Sequence, residues 1–267
     1  MTIGQQLVEN IRQWPGDWKS RPPDLHSLGQ SMGVVGVEER SLTVQAMTLP
    51  VRRGYKIIIN SNDFNIRKRF SWAHELGHIL EAQDSIGVVK QLSHRDKKLE
   101  RLCDTLAAEI LMPTELFADD MISSQHGFGS VGRLANIYQT SITSTAIRYV
   151  NLLKIPTVLI RWAPAQGNVG LKPTWKLQNN CIGPIVPSDW HNQKSSSSTF
   201  EGAESAYTWS KLEQSYEKLL ARVRVGTQQF IRFSRYKTES MGFGTGRNRF
   251  VLSIVYLNDF IDDIAVA

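Results

Sequence analysis

The first apolar positions of the chain fall at helical spacing. Ile3, Leu7, Ile11 and Trp14 predict a helix over 2–14, which Pro15, Gly16, Pro22 and Pro23 bring to an end. Asp24 is an N-cap signal for a second helix reaching about Met32, with Gly33 and Gly36 closing it. The period then changes from helical to alternating. Leu42, Val44 and Ala46 alternate with polar neighbours, and a turn over 50–54 leads into an extended run over 55–60. A small sheet beside helices is the expected result.

Helical spacing returns over 67–82, where Ala73, Leu76, Gly77 and Leu80 form one apolar stripe. It returns again over 96–112, with Leu99, Leu102, Leu106 and Ile110 on one face, until Pro113. Pro113 also suits the opening of a further helix to about Ile122. After the glycines near 127–129, helices are expected over 131–138 and 142–153, and a strand over 157–162. A linker is expected over 163–168, and 195–199 reads as a short low-complexity loop. Beyond that the pattern suggests a helix over about 207–224 and strands near 227–236 and 248–256. Gly242, Gly244 and Gly246 mark a hairpin loop. Aromatic residues gather there: Tyr207, Trp209, Tyr216, Phe230, Phe233 and Tyr236. The expected fold class is α+β: a mostly helical core with a small N-terminal sheet over 1–125, a helix-turn-helix-like segment over 126–163, and a C-terminal α+β domain over 164–267.

Composition narrows the class of protein. Hydrophobic residues make up 41% and charged residues 21% of the 267, the balance of a folded globular chain. No apolar run reaches the ~20 residues of a membrane span, and the N-terminus lacks the pattern of a secretory signal. The expected location is the cytoplasm, with no membrane partner. Cys103 and Cys181 are too few for a disulfide framework and have no metal-knuckle spacing. The net charge of +6 is spread over both halves of the chain, whereas a dedicated nucleic-acid binder concentrates it.

One short motif carries chemistry: His74-Glu75-Leu76-Gly77-His78. Residues four apart on a helix share a face, so His74 and His78 present two imidazoles to one ion. Glu75 lies one position round, where its carboxylate reaches a water on that ion as a general base. Gly77 lets another backbone approach the helix. A catalytic zinc needs a third protein ligand. Glu100 and Asp104 share the polar face of the following helix, with Cys103 and Glu109 nearby, and spacing alone does not choose between the two acids.

The stretch from Arg67 to Leu80 (RKRFSWAHELGHIL) and the block from Glu100 to Pro113 (ERLCDTLAAEILMP) resemble the two signatures of the ImmA/IrrE metallopeptidases. The resemblance covers about residues 20–160. It implies Zn2+ held by His74, His78 and Glu100, since the family's acidic ligand falls on Glu100, and catalysis with Glu75 as the base. It also implies a protein substrate of the helix-turn-helix repressor class, in a regulatory, stress or mobile-element switch. One branch of the family carries a GAF-type sensor after the core, which makes a sensor or docking role the expectation for the C-terminal domain. Non-proteolytic binding of DNA or repressor, and a toxin-antitoxin role, are the alternatives.

Several features weigh less. His94, His126 and Tyr138 are the available second electrophiles, each with packing or surface as the plainer reading. The segment over 130–153 has helix-turn-helix spacing, but its second helix carries only Arg148 and Asn151 as long polar contacts, so support of the core is preferred to DNA binding. The basic run Arg67-Lys68-Arg69 is read as a solvated helix end, and Cys103 as a buried packing thiol.

Overall fold

The computed structural model describes residues 20–83, 97–122, 127–164, 171–179, 215–216, 222–225, 229–232, 238–243 and 250–256. The expected helix over 2–14, the loop over 195–199, His94 and His126 lie outside them. The backbone gathers into two compact units: 1–119 with 133–144, and 120–132 with 145–267. Both helices and sheets are present, so the chain is of mixed α and β class.

The first unit opens with α1 (Leu25–Ser31), whose N-cap Asp24 accepts hydrogen bonds from the backbone N–H of His26 and Ser27. Gly33, at φ +83°, lets the chain turn into β1 (Val34–Arg40). The glycines at 33 and 36 read as helix breakers in the sequence and gave no sign of this strand; Gly36 sits within it. β2 (Ala46–Val51) and β3 (Gly54–Asn60) complete a sheet of order β1-β3-β2, with β1 parallel and β2 antiparallel to the centre. Pro50, expected in the turn, ends up inside edge strand β2, where a missing N–H is tolerated. Ile57, Ile58 and Ile59 bury the middle of β3.

α2 (Asn65–Gln83) packs on β2 and β3 and against α3 (Lys97–Leu111). Its buried stripe is Ala73, Leu76, Gly77 and Leu80, as the spacing predicted; Leu99, Cys103, Leu106 and Ile110 are buried on α3. A Cβ on Gly77 would lie 3.2 Å from Cys103 Cα and 3.3 Å from Cys103 O. Glycine therefore sets how closely the two helices approach. α4 (Thr114–Ile122) starts one residue after Pro113, and its first turn is held by Glu109. The Glu109 carboxylate accepts from Thr114 N at 2.9 Å and Thr114 Oγ1 at 2.8 Å. α5 (Phe128–Tyr138) and α6 (Ile142–Leu152) follow the predicted helical pair.

The second unit contains the sheet β5-β4-β10-β9-β6, built from β4 (Thr157–Pro164), β5 (Leu171–Gln178), β6 (Ser215–Tyr216), β9 (Thr238–Phe243) and β10 (Phe250–Tyr256). β7 (Arg222–Val225) and β8 (Gln229–Arg232) form a separate antiparallel pair. Within the expected helix over 207–224 the described residues are strands β6 and β7, so that expectation fails. Gly242 likewise belongs to strand β9 rather than to a loop, and β4 runs two residues into the expected linker. The β10 centre buries Val251, Leu252, Ile254, Val255 and Tyr256. Ser253 is satisfied there by Trp162 Nε1 at 3.0 Å and Ser240 Oγ at 2.7 Å.

Candidate metal centre

Helix α2 presents His74 and His78 on the face that meets α3, one turn apart, as a four-residue spacing requires. Their Nε2 atoms lie 3.1 Å from each other. Glu100, in the first turn of α3, brings Oε2 to 3.3 Å from His74 Nε2 and Oε1 to 3.8 Å from His78 Nε2. The three groups meet at one point, with donor atoms all within 4.8 Å of one another. Ligands ~2.0–2.1 Å from a tetrahedral ion are themselves about 3.3 Å apart. Two imidazole nitrogens and one carboxylate at these spacings fit a zinc-type cation.

Asp104 occupies a different position. Its Oδ1 lies 3.0 Å from His74 Nδ1, the ring nitrogen turned away from Glu100. A carboxylate there holds the proton on Nδ1 and leaves the Nε2 lone pair free for an ion. His78 Nδ1 faces Cys103 Sγ at 3.4 Å. Both rings are therefore held from behind by α3. The structure separates the two acids that spacing had left open: Glu100 joins the cluster and Asp104 orients it.

Glu75 is buried, at 8% exposure, between the helix and the sheet. Its Oε2 accepts a hydrogen bond from Thr48 Oγ1 of β2 at 2.7 Å. It borders the cluster without entering it, and both line a cavity of about 410 Å³ with Val44, Gln45, Ala46 and Phe70. The electrostatics follow from this crowding. Burial opposes charge on His74, but the Asp104 hydrogen bond and the Asp104, Glu75 and Glu100 charges outweigh it and raise the His74 pKa. His78 goes the other way, lowered by burial and then by the neighbouring His74. Burial, reinforced by the Glu100 and Glu81 charges, pushes the Cys103 thiol up to about 12, so it stays protonated.

Residues 33–149 match the family model described as Peptidase M78, IrrE N-terminal-like domain. This stretch of the chain is similar to the IrrE N-terminal-like domain. No curated protein sequence matches the chain. Among solved structures, a Mycobacterium tuberculosis transcriptional regulator is similar with a TM-score of 0.59 and 10% identity, covering 95% of this chain and 75% of that one. At that identity the likeness is one of fold.

The other residues singled out along this stretch have structural places. Tyr138 is fully buried and packs on Phe117 with ring centroids 5.2 Å apart, away from the cavity lining. Arg67 pairs with Asp63 at 3.5 Å, Lys68 with Glu39 at 2.6 Å, and Arg69 donates to Pro23 O at 2.5 Å. Arg67 is exposed, as a solvated helix end should be, while Lys68 and Arg69 are partly buried in their contacts. Thr48 is the site residue that the pattern along the chain did not reveal. It is 27 positions from Glu75, and only the packing of β2 on α2 joins them. No helix among the described residues is long and apolar enough to cross a membrane.

Proposed function

We propose that this protein is a zinc-dependent endopeptidase of the cytoplasm with a zincin-like core, acting on another protein, a helix-turn-helix transcription repressor. The observation that carries the reading is the division of labour among four side chains. His74, His78 and Glu100 converge on one point, while Glu75, beside them, is held off by Thr48. The three converging residues would hold the ion, with Asp104 fixing the His74 tautomer. Bound zinc supplies Lewis acidity to a water and to a peptide carbonyl. Glu75 takes the water's proton on its carboxylate and hands it to the nitrogen of the departing amine. Thr48 keeps that carboxylate at one position, which limits the reorganisation needed at the moment of transfer.

Substrate binding has a place to occur. β2 pairs only with β3 in its sheet, so its outer edge is open among the described residues. The segment leading into it, Val44 to Ala46, lines the cavity. An extended polypeptide can add to that edge as a further strand. The repressor class of substrate is supported by the resemblance to ImmA/IrrE peptidases. In this reading residues 1–125 are the catalytic core, 126–163 a supporting helical segment and 164–267 a sensor or docking module. The α6 helix offers DNA only Arg148 and Asn151 as long polar groups, so support of the core is the reading preferred to DNA contact.

The deciding experiment is Glu75→Gln. The amide keeps the shape of the carboxylate but accepts no proton at neutral pH. Zinc content stays normal, cleavage falls by ~10²–10⁴, and the variant retains uncut target. Full biological activity of a zinc-bound Gln variant would show that hydrolysis is not the function and leave a non-proteolytic regulator.

A further inference from the structure

A second hollow adjoins the metal centre within the same compact unit. It encloses about 690 Å³ and shares Gln45, Phe70 and Ser71 with the metal-lined cavity. Its walls are apolar. Phe64 and Ile66 stand at the start of α2, Leu111 and Met112 at the end of α3, and Ile142 at the start of α6. Phe64 is 80% exposed and Ile66 47% exposed, at the rim of a concavity rather than scattered over a convex surface. Exposed apolar groups gathered at one concave place mark a surface that meets a partner.

Several polar groups of this groove are already engaged. Thr140 Oγ1 donates to Met112 Sδ at 3.6 Å, and Ser141 Oγ caps α6 by accepting from Ser144 N at 3.1 Å. Its charged lining residue, Arg67, is paired with Asp63. With these groups engaged, Phe64, Ile66, Phe70, Leu111, Met112 and Ile142 give the groove a mainly apolar surface. Its occupant is argued from continuity: a polypeptide laid along the approach to β2 passes Gln45, which borders both hollows.

We infer that the groove is the specificity subsite of the peptidase. It receives one large aliphatic or aromatic side chain of the bound polypeptide, next to the bond that is cut. The inference rests on the peptidase reading above. It also gives the turn between α5 and α6 a task. In a DNA-binding helix-turn-helix, the start of the second helix faces bases. Here Ser141, Ile142 and Ser144 form the far wall of a protein-binding groove.

The test uses full-length Glu75→Gln protein loaded with zinc, which binds without cutting. The probes are host octapeptides of Ala and Ser carrying a single Leu at each position in turn, with affinity measured by calorimetry. Leu at one position tightens binding ten- to a hundredfold over Ala, the range that a filled apolar pocket gives. Adding Phe64→Ala and Ile66→Ala removes that preference. Both side chains are exposed, and an unchanged zinc stoichiometry confirms the fold. Equal affinities for all the peptides, a preference that survives the double substitution, or no binding to any peptide would overturn the subsite. Cleavage of the same peptides by zinc-loaded wild type is read separately by mass spectrometry, and the cut should fall beside the preferred Leu. Selective binding with no cleavage would overturn the peptidase reading and leave a peptide-binding groove.

Discussion

Asp104 Oδ1 lies 3.0 Å from His74 Nδ1, while Glu100 Oε2 lies 3.3 Å from Nε2 of the same ring. Two acids one turn apart on α3 thus grip opposite edges of one imidazole. One edge is where an ion would sit, and the other fixes which nitrogen carries the proton.

This arrangement ranks the two acids. Glu100→Ala removes one of the three proposed ligands and should abolish stoichiometric zinc binding. Asp104→Ala should keep one zinc per chain but weaken affinity by ~10–100-fold, the usual effect of losing a partner behind a ligand. Competition titration with a chromophoric chelator measures both. Loss of the metal in Asp104→Ala with retention in Glu100→Ala would reverse the assignment.

The same pair sets a pH dependence. The His74 pKa is raised above its ordinary 6.5, so in the metal-free protein its protonated form is favoured by folding. That contribution to stability is fully present below the unfolded pKa and is lost as pH rises through the folded one. Zinc requires the deprotonated ring, so affinity falls as pH drops through the raised pKa. Asp104→Asn removes the main group holding the proton, and the zinc-affinity curve should move to lower pH. An unmoved curve would show that Asp104 does not set the His74 titration.

Thr48 anchors Glu75 from another element. Thr48→Val keeps the shape but removes the hydroxyl that donates to Oε2. The expected result is normal zinc content with a drop in kcat of about tenfold, smaller than that of Glu75→Gln, since one positioning hydrogen bond is worth ~1–2 kcal/mol. Steady-state kinetics on the peptide best cleaved by wild type separates kcat from KM.

Gly77 is not one of the proposed ligands, yet it sets the approach of the two helices that carry them. A Cβ at 3.2 Å from Cys103 Cα meets backbone, which yields only if α2 and α3 move apart. Gly77→Val should destabilise the fold by ~1–3 kcal/mol through overpacking. It should also weaken zinc binding, because Glu100 rides on the displaced helix. Chemical denaturation and zinc titration together check this; lost stability with unchanged zinc affinity would show that the helices absorb the methyl groups elsewhere.

The core helices were legible in the order of residues because their causes are local. The Asp24 cap, the stripe of Ala73, Leu76, Gly77 and Leu80, and the face of Leu99, Leu106 and Ile110 are all set by spacing along one helix. The joint presentation of His74 and His78 is of the same kind. Strand β1 escaped because Gly33 and Gly36 read as helix breakers, and whether a glycine lies in a strand depends on its neighbours across the sheet. The expected helix over 207–224 failed for a related reason: β6 is a strand because β9 lies beside it, and β7 because β8 does. In the metal centre, the sequence supplied the residue types and their places on two helices. Which acid meets Nε2, which meets Nδ1, and which hydroxyl holds Glu75 were decided only when α3 and β2 packed against α2. Those relations depend on distances between elements, and spacing along the chain does not contain them.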